Sequence, residues 1–171
     1  ESRIFLVVLV SLTATVSSAR ERECIMSDPD LLDITFGFGT SLEGRSPVCM
    51  LNEHDVIYSL GKKIVLHNLN KNMQMVLPMT PRTKSISAFE ACSRKRYLAV
   101  CEIPATPSEP PQVSILDLES SPVKRLRTLL NVTDDGELAQ TGTAYLDVGF
   151  SADSKLVVAI CNEPKYTIVV W

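Results

Sequence analysis

The chain has 171 residues, 45% of them hydrophobic and 22% charged, with a formal net charge of −3. That is enough for one domain of ordinary size with a real core. The mildly acidic balance argues against a partner recognised by bulk charge, such as nucleic acid or an anionic membrane. Five scattered cysteines (24, 49, 92, 101, 161) without a CxxC pair argue against a zinc site, and the apolar runs in or beside which Cys49, Cys92, Cys101 and Cys161 lie read as a setting for buried free thiols.

Residues 1–25 form the first segment. The apolar run 4–16, IFLVVLVSLTATV, is followed by Ser17, Ser18 and Ala19. This has the shape of a secretory signal, and it is short of the ~20 residues of a membrane span. Met26 offers the competing reading of an upstream leader before a start at MSDPDLLDITFGFGTSLEG. A short N-terminal helix is compatible with either. The domain proper is expected over 26–171. In 34–51, Ile34, Phe36 and Phe38 share one face of an extended strand. Gly37 and Gly39 match neither a Walker loop nor a dinucleotide fingerprint.

Residues 47–77 read as a four-stranded antiparallel unit: PVCML, VIYSL, KIVLHNL and MQMVLP, separated by turns at 52–55, 61–62 and 70–72. The only histidines, His54 and His67, lie in a turn and a strand with no second ligand nearby, and read as structural. Residues 78–85 are a connection. Its Thr80-Pro81-Arg82 suits any exposed loop and also a phosphorylation site.

Residues 84–129 form the second unit. YLAVC (97–101) is a central strand. IPATPSEPPQ (103–112), with four prolines, is an inserted loop, either a partner contact or a tolerated insertion. The cations Lys124, Arg125 and Arg127 lie on the outer strand. They read as a charged edge against aggregation, or as a contact to an acidic partner such as tubulin. Residues 130–143 are an acidic link. Asp134, Asp135 and Glu137 lack the spacing of a calcium loop. The third unit covers 144–171.

The second and third units carry one pattern twice. Phe89 and Phe150 are 61 positions apart, and Ile115 and Val169 are 54 apart. Such periods signal stacked repeats, each burying its faces on its neighbours. The expected fold is all-β: a partial β-propeller of about three antiparallel blades, at about 47–77, 84–129 and 144–171, which the turn FSADS at 150–154 makes WD40-like by resemblance. A closed propeller needs about 4–8 blades. The chain also starts at Glu1 and ends on an apolar strand at Trp171, so it reads as part of a longer protein. There is no nucleophile elbow, metal-ligand set or phosphate loop. Asp117, Asp147 and Asp153 have no evident catalytic partner. We therefore expect no enzyme activity, no metal and no cofactor.

FSADS (150–154) resembles the FSPDG turn of WD40 repeats, with Trp171 and Asp117 near the Trp-Asp position, although neither a Gly-His nor a complete Trp-Asp pair is present. RKRYLAVCE, VSILDLESSPVKRLRTL and VGFSADSKLVVA resemble the opening propeller of a ciliary WD-repeat family, that of cilia- and flagella-associated protein fifty-seven. The likeness covers roughly 31–171. It implies a non-enzymatic scaffold followed by a long coiled coil, on axonemal doublet microtubules, docking or regulating inner dynein arms. Its partners would be axonemal proteins, dynein-associated or tubulin-associated, with no nucleic acid and no membrane. The alternative is a secreted or lumenal propeller, cleaved near Ala19, glycosylated at Asn131 and holding a disulfide.

Overall fold

The computed structural model describes residues 48–132, 136–137, 142–162 and 166–171. The N-terminal segment, the 34–47 strand region, and Asp134 and Asp135 of the acidic link lie outside these residues. The described residues contain no helix; they form three antiparallel sheets, as the alternating patterns require.

The first sheet has the order β1 (Val48–Met50), β2 (Asp55–Leu60), β3 (Lys63–Asn68), β4 (Met73–Val76). Its turns follow from composition. Asn52 Oδ1 accepts the backbone N–H groups of His54 and Asp55, both at 2.8 Å, an Asx turn. Leu60 pairs with Lys63, which leaves a two-residue hairpin loop, and Gly61 supplies its φ of 58°.

The second sheet has the order β5 (Thr83–Ala91), β6 (Tyr97–Pro104), β7 (Gln112–Asp117), β8 (Lys124–Leu129). The third has β9 (Tyr145–Phe150), β10 (Val157–Cys161) and β11 (Ile168–Val170), with β10 central.

The repeat is visible in the turns. Cys92 N–H donates to Tyr97 O at 2.8 Å, and Ser151 N–H donates to Leu156 O at 3.0 Å. Inside each turn, Lys95 N–H reaches Cys92 O and Ser154 N–H reaches Ser151 O, both at 2.8 Å. Lys95 and Ser154 take the same left-handed conformation, φ 59° and 60°. Position 92 therefore matches 151, an offset of 59, not the 61 drawn from the two phenylalanines. Phe150 pairs with Val157 as Ala91 pairs with Leu98, so Val148 is the counterpart of Phe89. In the third strands Val170 matches Ile115, because they pair with the equivalent Val158 and Ala99. Turn hydrogen bonds fix register, and side-chain size does not.

Two cores flank the second sheet, one on each face. Leu98 and Val100 of β6, with Phe89, Leu116 and Val123, pack against Ile57, Ile64, Leu77 and Met79. Ala99 and Cys101, the alternate residues of β6, pack with Val113 against Tyr145, Val148, Val157, Ala159, Cys161 and Val169. Period-two alternation in a strand apolar on both sides produces this sandwich. The sheets are thus stacked blades. The small Ala99 and Cys101 share their face with the fully buried Tyr145, whose ring meets Trp171 edge-on at 5.8 Å.

Candidate interaction surfaces

Three surfaces follow from this architecture. The first is the uncovered face of the third blade. By register, Val158, Ile160, Ile168 and Val170 are the counterparts of Ala99, Cys101, Val113 and Ile115. In the second blade those positions face the third. In the third blade Ile160, Ile168 and Val170 are 38%, 64% and 56% exposed. Cross-strand pairing of Val158 with Val170 and of Ile160 with Ile168 gathers them into one apolar patch.

The second surface is the outer strand β8. A bulge leaves Leu126 unpaired: Arg125 lies opposite Leu116 and Arg127 opposite Ile115. Simple alternation would put Arg125 and Arg127 on one face; the bulge sends them to opposite faces. Arg125 turns toward the connection from the first blade, where Nη2 donates to Pro78 O at 3.3 Å. Arg127 lines a groove of about 340 Å³ facing the third blade, with Tyr97, Phe150, Lys155 and Trp171. Lys124, opposite Asp117, is exposed. The three cations named from sequence therefore divide, Arg125 from Lys124 and Arg127.

The third surface is the rim of the second blade at the start of β5 and the end of β6. Antiparallel pairing brings the 78–82 connection and the proline-rich loop together here. A cavity of about 390 Å³ opens between them, lined by Thr80, Arg82, Glu102, Glu109, Pro110 and Gln112. Sequence reasoning passed over Glu102. It is 1% exposed. Its carboxylate accepts the Thr83 hydroxyl, and Oε2 accepts Thr80 N–H at 3.1 Å. Gln112 Nε2 in turn donates to Thr80 Oγ1 at 2.8 Å. Burial pushes the Glu102 pKa up, but the Thr83 hydroxyl and the Thr80 N–H outweigh it and hold the carboxyl below its ordinary value. The available signal was a lone carboxylate at the end of the apolar strand YLAVC. Above it, Arg82 Nη1 pairs with Glu109 Oε1 at 2.9 Å on the exposed rim.

The three aspartates considered from sequence are tied into local structure. Asp117 Oδ2 accepts Ser120 Oγ–H at 3.0 Å and Oδ1 lies 3.7 Å from Arg96 Nε. Asp153 Oδ1 accepts Ser151 Oγ–H at 2.6 Å. Asp147 Oδ1 accepts its neighbour's N–H, from Val148, at 2.9 Å. His67 is buried edge-on to Tyr58, with Nε2 3.3 Å from Asn72 Oδ1. Among the described residues no three metal-ligating side chains converge, and no helix is long and apolar enough to cross a membrane.

No family model matches the chain. Two mouse proteins do. Cilia- and flagella-associated protein 57 is 25% identical over 134 residues, 78% of this chain and 10% of that protein. Cilia- and flagella-associated protein 44 is 26% identical over 140 residues, 82% of this chain and 7% of that protein. This chain resembles ciliary proteins of the WD-repeat type. The likeness that RKRYLAVCE and VGFSADSKLVVA suggested is thus met by similarity over most of the chain. The chain spans a tenth or less of the length of these relatives.

Proposed function

We propose that this chain is part of a non-enzymatic WD-repeat scaffold of the cilium or flagellum. The observation that carries the reading is the similarity to two cilia- and flagella-associated proteins over about four-fifths of the chain. The stacked blades support it, because such a fold presents rims and edges to protein partners. At a finer level the scaffold belongs to the axoneme, where it docks or regulates dynein arms. Lys124 and Arg127 then face an acidic surface such as that of tubulin. The apolar patch of the third blade receives another blade, as its counterpart in the second blade does. The secreted alternative gains nothing from either relative.

The test is retention on the axoneme. The natural protein that contains this chain, tagged in ciliated cells, is expected to stay on axonemes after detergent extraction. Recovery in the medium, or a purely soluble pool, would overturn the reading. A finer result is a loss of inner dynein arms on depletion, seen by electron microscopy.

A further inference from the structure

The chain holds four Ser/Thr-Pro pairs, at 46–47, 80–81, 106–107 and 121–122. The first lies outside the described residues. The structure separates the other three. Thr80, singled out from sequence, is engaged: its hydroxyl accepts Gln112 and its N–H donates to the buried Glu102. A phosphate there would sit against an ionised carboxylate with little water to screen it. Ser121 is exposed, but Val123, two residues on, is buried in the core between the first two blades, and Leu118 packs against that core. Drawing this segment into an enzyme cleft would pull both out.

Thr106 differs. Residues 105–108 are exposed without interruption. Among the described residues nothing hydrogen-bonds the Thr106 hydroxyl. Its carbonyl accepts Glu109 N–H at 3.0 Å, closing a four-residue turn with Pro107 at its second position. One hydrogen bond and an exposed ion pair hold that turn, so opening it disturbs no core. Arg82 is its neighbour: Ala105 N–H donates to Arg82 O at 2.8 Å, and the Arg82 guanidinium holds Glu109.

We propose that Thr106 is a phosphorylation site for a proline-directed Ser/Thr kinase, and that its phosphate draws Arg82 away from Glu109. In the transfer, Thr106 Oγ attacks the γ-phosphorus of ATP. A new O–P bond forms, the bond to the β-phosphate oxygen breaks, the hydroxyl proton passes to the kinase's catalytic carboxylate, and ADP leaves. The product carries about −1.5 to −2 charges at neutral pH, beside the Glu109 carboxylate. A guanidinium binds phosphate in a bidentate, charge-assisted way, and the exposed Arg82–Glu109 pair is a weak competitor. The rim above the Glu102 cavity then changes from a neutral ion pair to a strongly anionic edge. This inference stands apart from the ciliary assignment.

The test is in vitro phosphorylation of the full chain by a proline-directed kinase with ATP, with the site read by peptide fragmentation in a mass spectrometer. Among the three described Ser/Thr-Pro pairs, phosphate is expected on Thr106 alone. Thr106→Ala should abolish its incorporation, and Thr80→Ala should leave it unchanged. Phosphate at Thr80 or Ser121 instead, or none on a chain whose circular dichroism shows it folded, overturns the assignment. The Arg82 half is read from the side-chain Nε–H resonance in NMR. It should shift on phosphorylation of the wild-type chain and of Glu109→Gln. An unmoved resonance overturns the switch even where Thr106 is modified.

Discussion

The trailing faces of the second and third blades occupy the same register positions and meet different fates. Ala99, Cys101, Val113 and Ile115 are covered by the next blade, and Tyr145 fills the space that Ala99 and Cys101 leave. Val158, Ile160, Ile168 and Val170 are larger at the two β10 positions, and three of the four are well exposed. Volume is shared across a blade interface, so a large residue on one side requires small ones on the other. A blade seated on Val158 and Ile160 should therefore carry a side chain smaller than tyrosine at the Tyr145 position.

The largest effect is expected at Tyr145. Tyr145→Ala should cost about 3–5 kcal/mol, because it empties the interface of the second and third blades. Urea unfolding would measure it, and a cost near zero would mean the blades do not stack this way. Overfilling the same interface with Cys101→Ile should cost about 1–3 kcal/mol. The equivalent position on the uncovered face, Ile160→Ala, should change stability by no more than about 0.5 kcal/mol in the isolated chain. If Ile160→Ala proves as damaging as a core change, something covers that face in solution.

The rim gives an effect of intermediate size. Glu102→Gln should cost about 1–3 kcal/mol at neutral pH, through hydrogen bonds made to a buried carboxylate. Its folded pKa lies below the unfolded value. The stabilisation is therefore complete above the ordinary carboxylate range of about 4.3 and fades as pH falls through the folded pKa. Wild type should lose more stability than Glu102→Gln between pH 5 and the acid limit; parallel curves would remove Glu102 from the account.

The smallest effect on folding belongs to the outer strand. Lys124→Glu with Arg127→Glu should shift stability by no more than about 0.5 kcal/mol. It should reduce retention of the natural protein on axonemes and weaken the salt dependence of binding. Arg125→Ala, by contrast, removes the hydrogen bond to Pro78 O. It should loosen the link between the first two blades and show in unfolding before it shows in binding.

What was legible followed from local rules. Alternation gave the strands of the first sheet. The hairpin at Gly61 and the FSADS turn at 150–154 were marked by the residues that such turns use. The repeat was legible as a pattern, but its offset differs by two from the spacing of Phe89 and Phe150, which share a residue type without sharing a register position. Only the hydrogen-bonded register makes Phe150 the equivalent of Ala91. The division of Arg125 from Arg127 was hidden as well, since it depends on a bulge opposite Ile115 and Leu116. Glu102 was hidden because its partners, Thr80 and Thr83, lie about twenty residues earlier and reach it only through the pairing of β5 with β6.

The all-β class, the blade pattern and the likeness to a ciliary WD-repeat family were readable along the chain, because strand alternation and turn chemistry act over short stretches of neighbouring residues. Only the packed structure shows which face of each strand meets which blade, where the cations point, that Thr106 is exposed while Thr80 is held by Gln112 and Glu102, and that Ile160, Ile168 and Val170 of the third blade are left exposed. Those outcomes depend on contacts between residues tens of positions apart, set by register and by the volumes that neighbouring blades must share.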